Sequence, residues 1–308
     1  MRVATFNLQN LRLRTLNGRP ALNAAADQDK PDLQRSDALA HADRDETARV
    51  IATAEADVIA LQEVFDLAAL DYFHDEFLRQ EGAPAYPFRF CFRGNDGRGL
   101  NVAALSRRRP VNARSHAGLT GAKLGLSDLP PDLRDRPLFR RDCLELQFDT
   151  VTLFVCHFKA PYPDADKAHE VREAEARAVR RIIEARFLDP ECERWIILGD
   201  FNEPLRGQES SKSSLEPLKR EFSVDLLDRL APGTDWTYEL PGSHAHSCPD
   251  RIFISPRLAR EYPTVIPQII RWGMDAGRAR SEARPIVEQT DRPHASDHAL
   301  VYADFPGL

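Results

Sequence analysis

Short apolar runs alternate with charged stretches along most of this chain. Apolar runs of about four to eight residues bounded by turn residues are typical of buried β-strands. On this basis we predict strands at residues 1–7, 57–63, 86–92, 101–106, 143–148, 151–158, 194–198, 250–255 and 299–305. No run approaches the ~18 apolar residues that span a bilayer, so we predict no membrane-spanning segment.

Other segments place their apolar residues at helical spacing instead. The predicted helices are 44–56, 65–80 and 164–187. Stretches that are polar or rich in Gly, Pro and Asp predict long loops. The predicted loops are 8–42, 118–136 and 271–293. Strands in both halves of the chain, with helices inserted between them, predict two packed sheets whose outer faces are covered by helices.

Length and composition fit a folded protein with one large core. No linker rich in Pro, Gly or Ser divides the 308 residues, so we predict a single domain over residues 1–308. The hydrophobic fraction is 42% and the net charge is −6, which argues against a protein that coats nucleic acid with a basic face. Nearly all of the 42 basic residues are Arg, whose guanidinium groups bind phosphates bidentately.

The cysteines and the amino terminus bear on the compartment. Five widely spaced cysteines without a C-x-x-C pair are typical of reduced thiols rather than of a disulfide framework or a zinc site. The first residues, Met1 to Asn7, have the pattern of a strand and not of a signal peptide. We therefore expect a cytoplasmic protein.

Polar side chains stand at the ends of the predicted strands. They are Asn7, Glu63, His157, Asp200 with Asn202, Asp250, and Asp297 with His298. If these ends meet at one rim, four carboxylates converge. Two carboxylates ~5 Å apart repel each other by about 3 kcal/mol at an effective dielectric constant near 20. The cluster therefore requires a cation, or histidines that pair with some of the acids.

The residue types point to phosphoryl chemistry with a metal ion. Oxygen ligands at Asn7, Glu63 and Asp297 favour Mg²⁺ or Mn²⁺ over zinc. Among the remaining groups, a His can donate to phosphoryl oxygens, an Asp can orient an attacking water, and an Asn amide can hold the phosphate. We interpret the chain as a metal-dependent hydrolase of phosphate esters.

Six motifs, in this order, resemble the endonuclease/exonuclease/phosphatase superfamily. They are Thr5-Phe6-Asn7, Leu61-Gln62-Glu63, Cys156-His157-Phe158, Gly199-Asp200-Phe201-Asn202, Asp250-Arg251-Ile252 and Ser296-Asp297-His298. Each motif alone is weak, but six in the family's order are specific. The superfamily includes pancreatic-type deoxyribonucleases, apurinic-site endonucleases, neutral sphingomyelinases and inositol-polyphosphate phosphatases. The resemblance implies a four-layer α/β/β/α sandwich of two mixed sheets flanked by helices.

The resemblance also implies which residues bind the metal. Glu63 is expected to be the principal ligand, with Asn7 beside it and Asp297 completing the shell. Mg²⁺ or Mn²⁺ is the expected cofactor, and whether one ion or two are bound stays open.

On the phosphate side the resemblance implies five catalytic residues. Asp200 is expected to orient or deprotonate water, while Asn202 and His157 hold the phosphate. His298 is expected to bind the scissile phosphate and to stabilise its developing charge. Asp250 would fix the ring of His298.

Four further residues are candidates for contact with the substrate phosphate. Asn101 falls where many relatives place a polar residue on the phosphate side. Arg140 and Arg141 open a strand that is expected to lie beside His157. Lys159 resembles a lysine of bacterial nuclease-like relatives.

Several of these residues also have a plain structural alternative. Asp200 and Asn202 could form an Asx turn after a strand, and Glu63 could cap the following helix. His157 could be a hydrogen-bonded core histidine, and Asp250 an ordinary salt-bridge partner. Because the six motifs occur together, we favour the catalytic interpretation.

Three functions are compatible with this site. The first is a phosphodiesterase, most plausibly a nuclease with nucleic acid as its partner. The second is a phosphomonoesterase or a lipid or inositol phosphatase, and the third is a catalytically silent binding protein. The predicted loops would determine which substrate binds, and they contain no motif that identifies it. The oligomeric state stays open.

Overall fold

The computed structural model describes residues 1–26, 36–203, 212–240, 245–274 and 292–308. In chain order the strands are β1 (Arg2–Leu11), β2 (Leu13–Leu16), β3 (Arg19–Leu22), β4 (Val58–Val64), β5 (Phe88–Cys91), β6 (Asn101–Ser106), β7 (Asn112–Ser115), β8 (Cys143–Gln147), β9 (Thr152–His157), β10 (Trp195–Asp200), β11 (Val224–Asp225), β12 (Tyr238–Glu239), β13 (His246–Ser247), β14 (Asp250–Ile254), β15 (Gln268–Ile270) and β16 (Leu300–Asp304). The α-helices are α1 (Asp37–Ala54), α2 (Leu67–Phe73), α3 (Pro131–Arg134), α4 (Ala165–Arg186) and α5 (Pro256–Glu261).

Two six-stranded mixed sheets lie at the centre of the fold. Their strand orders are β15-β16-β1-β4-β6-β5 and β11-β14-β10-β9-β8-β7. Each sheet contains one parallel pair, β1 with β4 and β9 with β10, and every other neighbouring pair is antiparallel. Parallel strands need a crossover connection, which α1 and α4 provide. The polar motifs identified in the sequence lie at the carboxyl end of each parallel pair.

Apolar side chains form three layers, because successive residues of a strand point to opposite faces of its sheet. Val58 of β4 and Leu144 of β8 belong to the layer between the two sheets. Ile59 of β4 packs with α1 and α2 on the outer face of the first sheet. Phe154 of β9 packs with α4 on the outer face of the second sheet. The arrangement is a four-layer α/β/β/α sandwich, which confirms the expected fold class.

The predicted loop at residues 8–42 is wrong over much of its length. Strand β1 continues to Leu11, and β2 and β3 form a hairpin across Asn17 and Gly18, both with positive φ. Asn-Gly is the preferred pair for such a two-residue turn, so the signal was present in the sequence. Helix α1 begins at Asp37, where Ser36 caps it. Residues 27–35 lie outside the described part of the chain.

Smaller differences concern single elements. The predicted helix 65–80 is α2 followed by a π-helical turn at His74–Leu78, and the predicted loop 118–136 contains the short helix α3. The short strands β7, β11 and β15 were not predicted. Most of the predicted loop 271–293 lies outside the described residues. Within the described ranges, no helix has both the length and the apolar character that a membrane crossing needs.

Candidate active site

The carboxyl ends of the two parallel strand pairs meet at one rim of the sandwich. His157 and Asp200 are register partners at the ends of β9 and β10, and Asp200 is also the partner of Asp250 at the start of β14. From the other sheet, Asn7 Nδ2 donates to Asp200 Oδ2 at 3.0 Å. This hydrogen bond joins residues of both sheets and brings the sequence-predicted groups into one cluster.

Gly199 allows Asp200 to take its position. Its φ is +151°, and a Cβ atom there would lie 1.9 Å from the carbonyl oxygen of Cys156. The Asp200 carboxylate then accepts the backbone N–H of Asn202 at 2.8 Å, and Asn202 Nδ2 donates to the Phe158 carbonyl at 3.1 Å. The Asx turn considered as a structural alternative is therefore part of the same arrangement, since it fixes Asn202 beside Asp200.

A bulge in β1 shapes the other side of the site. Five residues of β1, from Asn7 to Leu11, lie opposite three residues of β4, from Gln62 to Val64. Within the bulge, Gln9 donates its N–H to Asn7 Oδ1 at 2.9 Å, and Asn10 donates its N–H to Glu63 Oε2 at 3.0 Å. The bulge therefore orients two of the predicted metal ligands, Asn7 and Glu63.

The Ser-Asp-His segment packs against the same bulge. Ser296 Oγ donates to the Asn7 carbonyl at 2.7 Å and accepts the N–H of His298 at 3.1 Å. Asp297 donates its N–H to Gln9 Oε1 at 3.1 Å. Asp297, the third predicted metal ligand, thus lies next to the bulge that contains Asn7 and donates a hydrogen bond to Glu63.

His298 lies between two carboxylates. Its Nδ1 is 2.8 Å from Asp250 Oδ2, and its Nε2 is 3.9 Å from Asp200 Oδ2. Thr237 Oγ1 donates to Asp250 Oδ2 at 2.7 Å, and the Tyr238 ring lies 4.9 Å from the His298 ring. Sequence reasoning missed Thr237 and Tyr238. The only signal available was that a buried Asp needs hydrogen-bond donors.

The surroundings of His298 and Asp200 determine the protonation states of these two residues. Burial acts to lower the pKa of His298, but Asp250 and Asp200 outweigh it and raise that pKa well above its usual value. Burial raises the pKa of Asp200 to about 6, against the opposing effect of His298. At pH 7 the site therefore holds an imidazolium next to a mostly ionised carboxylate that can accept a proton.

His157 is a neutral histidine by the same reasoning. Burial, followed by the nearby Arg141 and His298, holds the pKa of His157 well below its usual value. Its Nε2 lies 3.5 Å from Asp200 Oδ2, and its buried Nδ1 has no hydrogen-bond partner among the described residues. A neutral ring can donate one hydrogen bond and accept one, so His157 can serve as a polar contact beside Asp200.

Asn101 and Lys159, two of the candidate phosphate contacts, are bound by groups of the protein itself. The Asn101 amide accepts the Gly94 N–H at 2.7 Å and donates to the Phe65 and Gly99 carbonyls. The Lys159 ammonium donates to the carbonyls of its own loop, at residues 160 and 162.

Arg141 is also bound by the protein, while Arg140 has a different setting. Arg141 is 3% exposed, donates to the Phe158 carbonyl at 3.0 Å and lies 3.3 Å from Asp96. Arg140 is half-buried, and its backbone N–H donates to Glu175. Whether either guanidinium contacts a substrate stays a prediction.

Glu175 of α4 lies beneath this edge of the site, and it makes stability depend on pH. It is fully buried and accepts the backbone N–H groups of Arg140 at 2.9 Å and Lys159 at 2.8 Å. Burial, opposed by these hydrogen bonds, raises the pKa of Glu175 from 4.5 to about 7. The folded chain then holds a proton that the unfolded chain releases, so stability is lost as the pH rises from 4.5 to 7.

We expect the free energy of unfolding of the wild type, relative to Glu175→Gln, to fall by up to about 3 kcal/mol between pH 4.5 and 7.5. Glutamine removes the titrating group and keeps an acceptor oxygen. Urea unfolding of both proteins at several pH values measures this difference. A difference that is the same at both ends of the range would contradict the assignment.

The donor set of the site fits a hard divalent cation. Glu63, Asp297 and the Asn7 amide offer the carboxylate and carbonyl oxygens that Mg²⁺ and Mn²⁺ prefer. A second group, Asp200, Asp250 and His298, has ligand atoms within 4.8 Å of one another. This second group includes a histidine nitrogen, whereas Mg²⁺ and Mn²⁺ prefer oxygen ligands, and the Nδ1 of that histidine already bonds to Asp250 Oδ2. We therefore favour the oxygen set around the β1 bulge.

A cavity of about 380 Å³ adjoins the rim near Asn101. Phe65, Phe92 and Arg98 are among the residues that line it, and Phe65 lies two positions after Glu63. A larger cavity of about 580 Å³ lies between Arg114 and the end of α4. That larger cavity contains none of the predicted site residues, so the smaller one is the better candidate for substrate.

Comparison with known proteins is consistent with this geometry. A family model described as the Endonuclease/Exonuclease/phosphatase family matches residues 4–301. Among curated proteins, no sequence matches this chain. Many solved structures do match it.

Three of these structures illustrate the likeness. Truncated Caenorhabditis elegans TDP2 has a TM-score of 0.56 at 16% identity, over 98% of this chain and 95% of its own. An endonuclease/exonuclease/phosphatase family protein from Leptotrichia buccalis has a TM-score of 0.56 at 14% identity, covering 99% and 98%. The 3'-5' exonuclease (NExo) from Neisseria meningitidis has a TM-score of 0.54 at 17% identity, covering 99% of both chains. At these identities the likeness shows a common fold.

Proposed function

This chain belongs to the endonuclease/exonuclease/phosphatase family, and from that premise we propose that it is a Mg²⁺- or Mn²⁺-dependent phosphodiesterase acting on nucleic acid. The family hydrolyses phosphate esters and generally uses divalent metals. The observation that carries the proposal is the buried His298 ring between Asp250 and Asp200, with Asp200 hydrogen-bonded to Asn7 of the other sheet.

In the proposed reaction, Asp200 and His298 have complementary tasks. Asp200 is mostly ionised at pH 7 and accepts a proton from the attacking water. His298 is protonated, and Asp250 fixes its ring so that it donates to the phosphoryl oxygens as negative charge develops on them. Asn202 and His157, which both contact the Asp200 carboxylate, orient the phosphate.

The metal has a separate place in this scheme. Glu63, Asn7 and Asp297 would hold it, and when bound it neutralises charge on the phosphoryl oxygens as a Lewis acid. The protein's own contribution on this side is to present oxygen ligands from a fixed bulge.

Charge around the site supports a diester substrate over a monoester. A monoester carries a second negative charge near pH 7, so a site built for it needs additional free cations. Lys159 and Arg141 are instead bound to backbone carbonyls, and the carboxylates of Asp200 and Asp250 add negative charge nearby. A diester, with one charge on its phosphate, suits this balance better.

Aromatic side chains in and around the β12–β13 hairpin, whose Tyr238 contacts His298, support nucleic acid as the substrate class. The rings of Trp236 and His246 stack, with their centroids 4.1 Å apart and an angle of 8° between the ring planes. The Arg271 guanidinium lies 4.3 Å from the centroid of the Trp236 ring. Tyr238, in the same hairpin, contacts the His298 ring. Bases of single-stranded nucleic acid stack on such aromatic and guanidinium surfaces.

A substrate panel with controlled metal tests the proposal. We expect cleavage of bis-(p-nitrophenyl) phosphate, plasmid DNA or RNA with Mg²⁺ or Mn²⁺, and loss of activity after EDTA that added metal restores. Undiminished turnover after rigorous chelation would contradict the metal requirement.

The same panel decides on the alternative, a phosphomonoesterase or a lipid or inositol phosphatase on this scaffold. Adding p-nitrophenyl phosphate and phosphoinositides makes the comparison direct. A higher kcat/KM for a monoester than for every diester would overturn the diesterase proposal in favour of this alternative.

A further inference from the structure

Three buried side chains of α1 contact the segments that carry the proposed metal ligands. Asp43, Arg44 and Thr47 are each 0% exposed and lie in the middle of the helix. A buried charged residue must find partners. Here the partners are backbone groups of segments far away in the sequence.

Arg44 binds four backbone carbonyls at once. Nη1 donates to Leu8 at 2.7 Å, Nη2 to Gln9 at 2.9 Å and to Ala24 at 2.8 Å, and Nε to Asn23 at 2.7 Å. Burial lowers the pKa of Arg44 to about 10, which leaves it cationic at pH 7. Only the planar fork of a guanidinium can reach several carbonyls in this way.

Two of these carbonyls belong to the β1 bulge, which needs support. Gln9 and Asn10 have φ values of +45° and +62°, in a region that residues other than Gly rarely adopt because it costs free energy. The same two residues donate to Asn7 and Glu63. By holding the bulge, Arg44 fixes the orientation of both predicted ligands.

Asp43 and Thr47 hold the segment that leads to the third ligand. Asp43 Oδ1 accepts the N–H of His294 at 3.0 Å, and Thr47 Oγ1 donates to the Ala295 carbonyl at 2.8 Å. Asp297 follows two residues later. One helix therefore sets the relative position of two segments that approach the site from opposite ends of the chain.

We propose that Asp43, Arg44 and Thr47 act together as a clamp that presets the divalent-metal site, an inference that rests on the proposed function. They do not coordinate the metal. They are positioning residues that act through the backbone of the bulge and of the segment before Asp297. Groups that orient metal ligands in this way change metal affinity when they are replaced.

The test measures metal binding directly, on the full chain, after chelation and without substrate. Arg44→Lys keeps the positive charge and removes the planar guanidinium that donates to several carbonyls at once. Thr47→Val removes one hydrogen bond and keeps nearly the same side-chain volume. We expect Mn²⁺ affinity, measured by electron paramagnetic resonance titration, to fall about tenfold or more in Arg44→Lys and about threefold in Thr47→Val.

Arg172→Lys is the matched control. Arg172 of α4 is equally buried and donates to the Lys159 carbonyl at 3.2 Å. We expect its replacement to cost stability, measured by urea unfolding, while Mn²⁺ affinity stays within about twofold of the wild type. A loss of Mn²⁺ affinity as large as that in Arg44→Lys would mean that general destabilisation explains the effect, and would overturn the inference.

The remaining outcomes separate this inference from the proposed function. Wild-type affinity in the folded Arg44→Lys and Thr47→Val variants would overturn the clamp and leave the proposed function intact. If Arg44→Lys does not fold, Thr47→Val decides alone, and wild-type affinity there overturns the clamp. A wild-type protein that binds no Mn²⁺ would overturn the proposed function together with the clamp.

Discussion

Asp200→Asn is expected to lower kcat for a phosphodiester about a thousandfold while leaving Mn²⁺ affinity close to that of the wild type. Asparagine has the same shape but cannot accept the proton of the attacking water. Burial raises the pKa of this carboxyl to about 6, so asparagine replaces a charge that burial itself disfavours. Single-turnover kinetics at saturating Mg²⁺ measure the effect.

Two variants give this prediction its contrast. Asp57→Asn is a matched control. Asp57 lies just before β4, at the end of the strands opposite to the site, and accepts the N–H of Arg2. The kcat of the Asp57→Asn variant should equal that of the wild type. Glu63→Gln should mainly weaken metal binding, and added metal should restore part of its activity. If Asp200→Asn and Glu63→Gln respond identically to metal titration, the roles assigned to them are wrong.

His298→Ala is expected to lower kcat/KM by about three orders of magnitude for diesters, and equally for any monoester that the enzyme accepts. The imidazolium donates to phosphoryl oxygens that both substrate types share. Asp250→Asn should have a smaller effect, because it disturbs the orientation and charge of the ring and leaves the ring in place. Steady-state kinetics on both substrate types measure these effects.

The chain offers a matched control for this pair. His116 Nε2 lies 2.9 Å from Glu145 Oε2, buried like the His298 pair but away from the rim. His116→Ala should lower stability and leave kcat/KM unchanged. An equal loss of activity in His116→Ala would mean that a buried His-carboxylate pair matters for folding alone, and would remove the support for a catalytic His298.

The amino-acid sequence was sufficient to predict those features that depend on a few neighbouring residues. A buried strand that ends in a polar residue can be recognised from a short apolar run followed by that residue. Asp200, Glu63 and His157 at the rim could therefore be named from the amino-acid sequence alone. The central strands followed from the same apolar runs. Because the family motifs recur in order, they also gave the four-layer arrangement of sheets and helices.

What could not be predicted depends on pairing over long sequence distances. Thr237 is separated from Asp250 by 13 residues, and Asn7 from Asp200 by 193, with no local pattern to join either pair. The positive φ angle at Gln9 comes from tertiary contacts, since glutamine does not favour that conformation, whereas asparagine, as at position 10, is enriched there. The contacts of Arg44 have no sequence motif at all.

The position of β16 has a consequence for synthesis of the protein. This last strand pairs with β1 inside the first sheet, and Ser296, just before it, bonds to Asn7 across 289 residues. A nascent chain on the ribosome therefore cannot complete the first sheet or the cluster at its rim until residues near 300 have emerged.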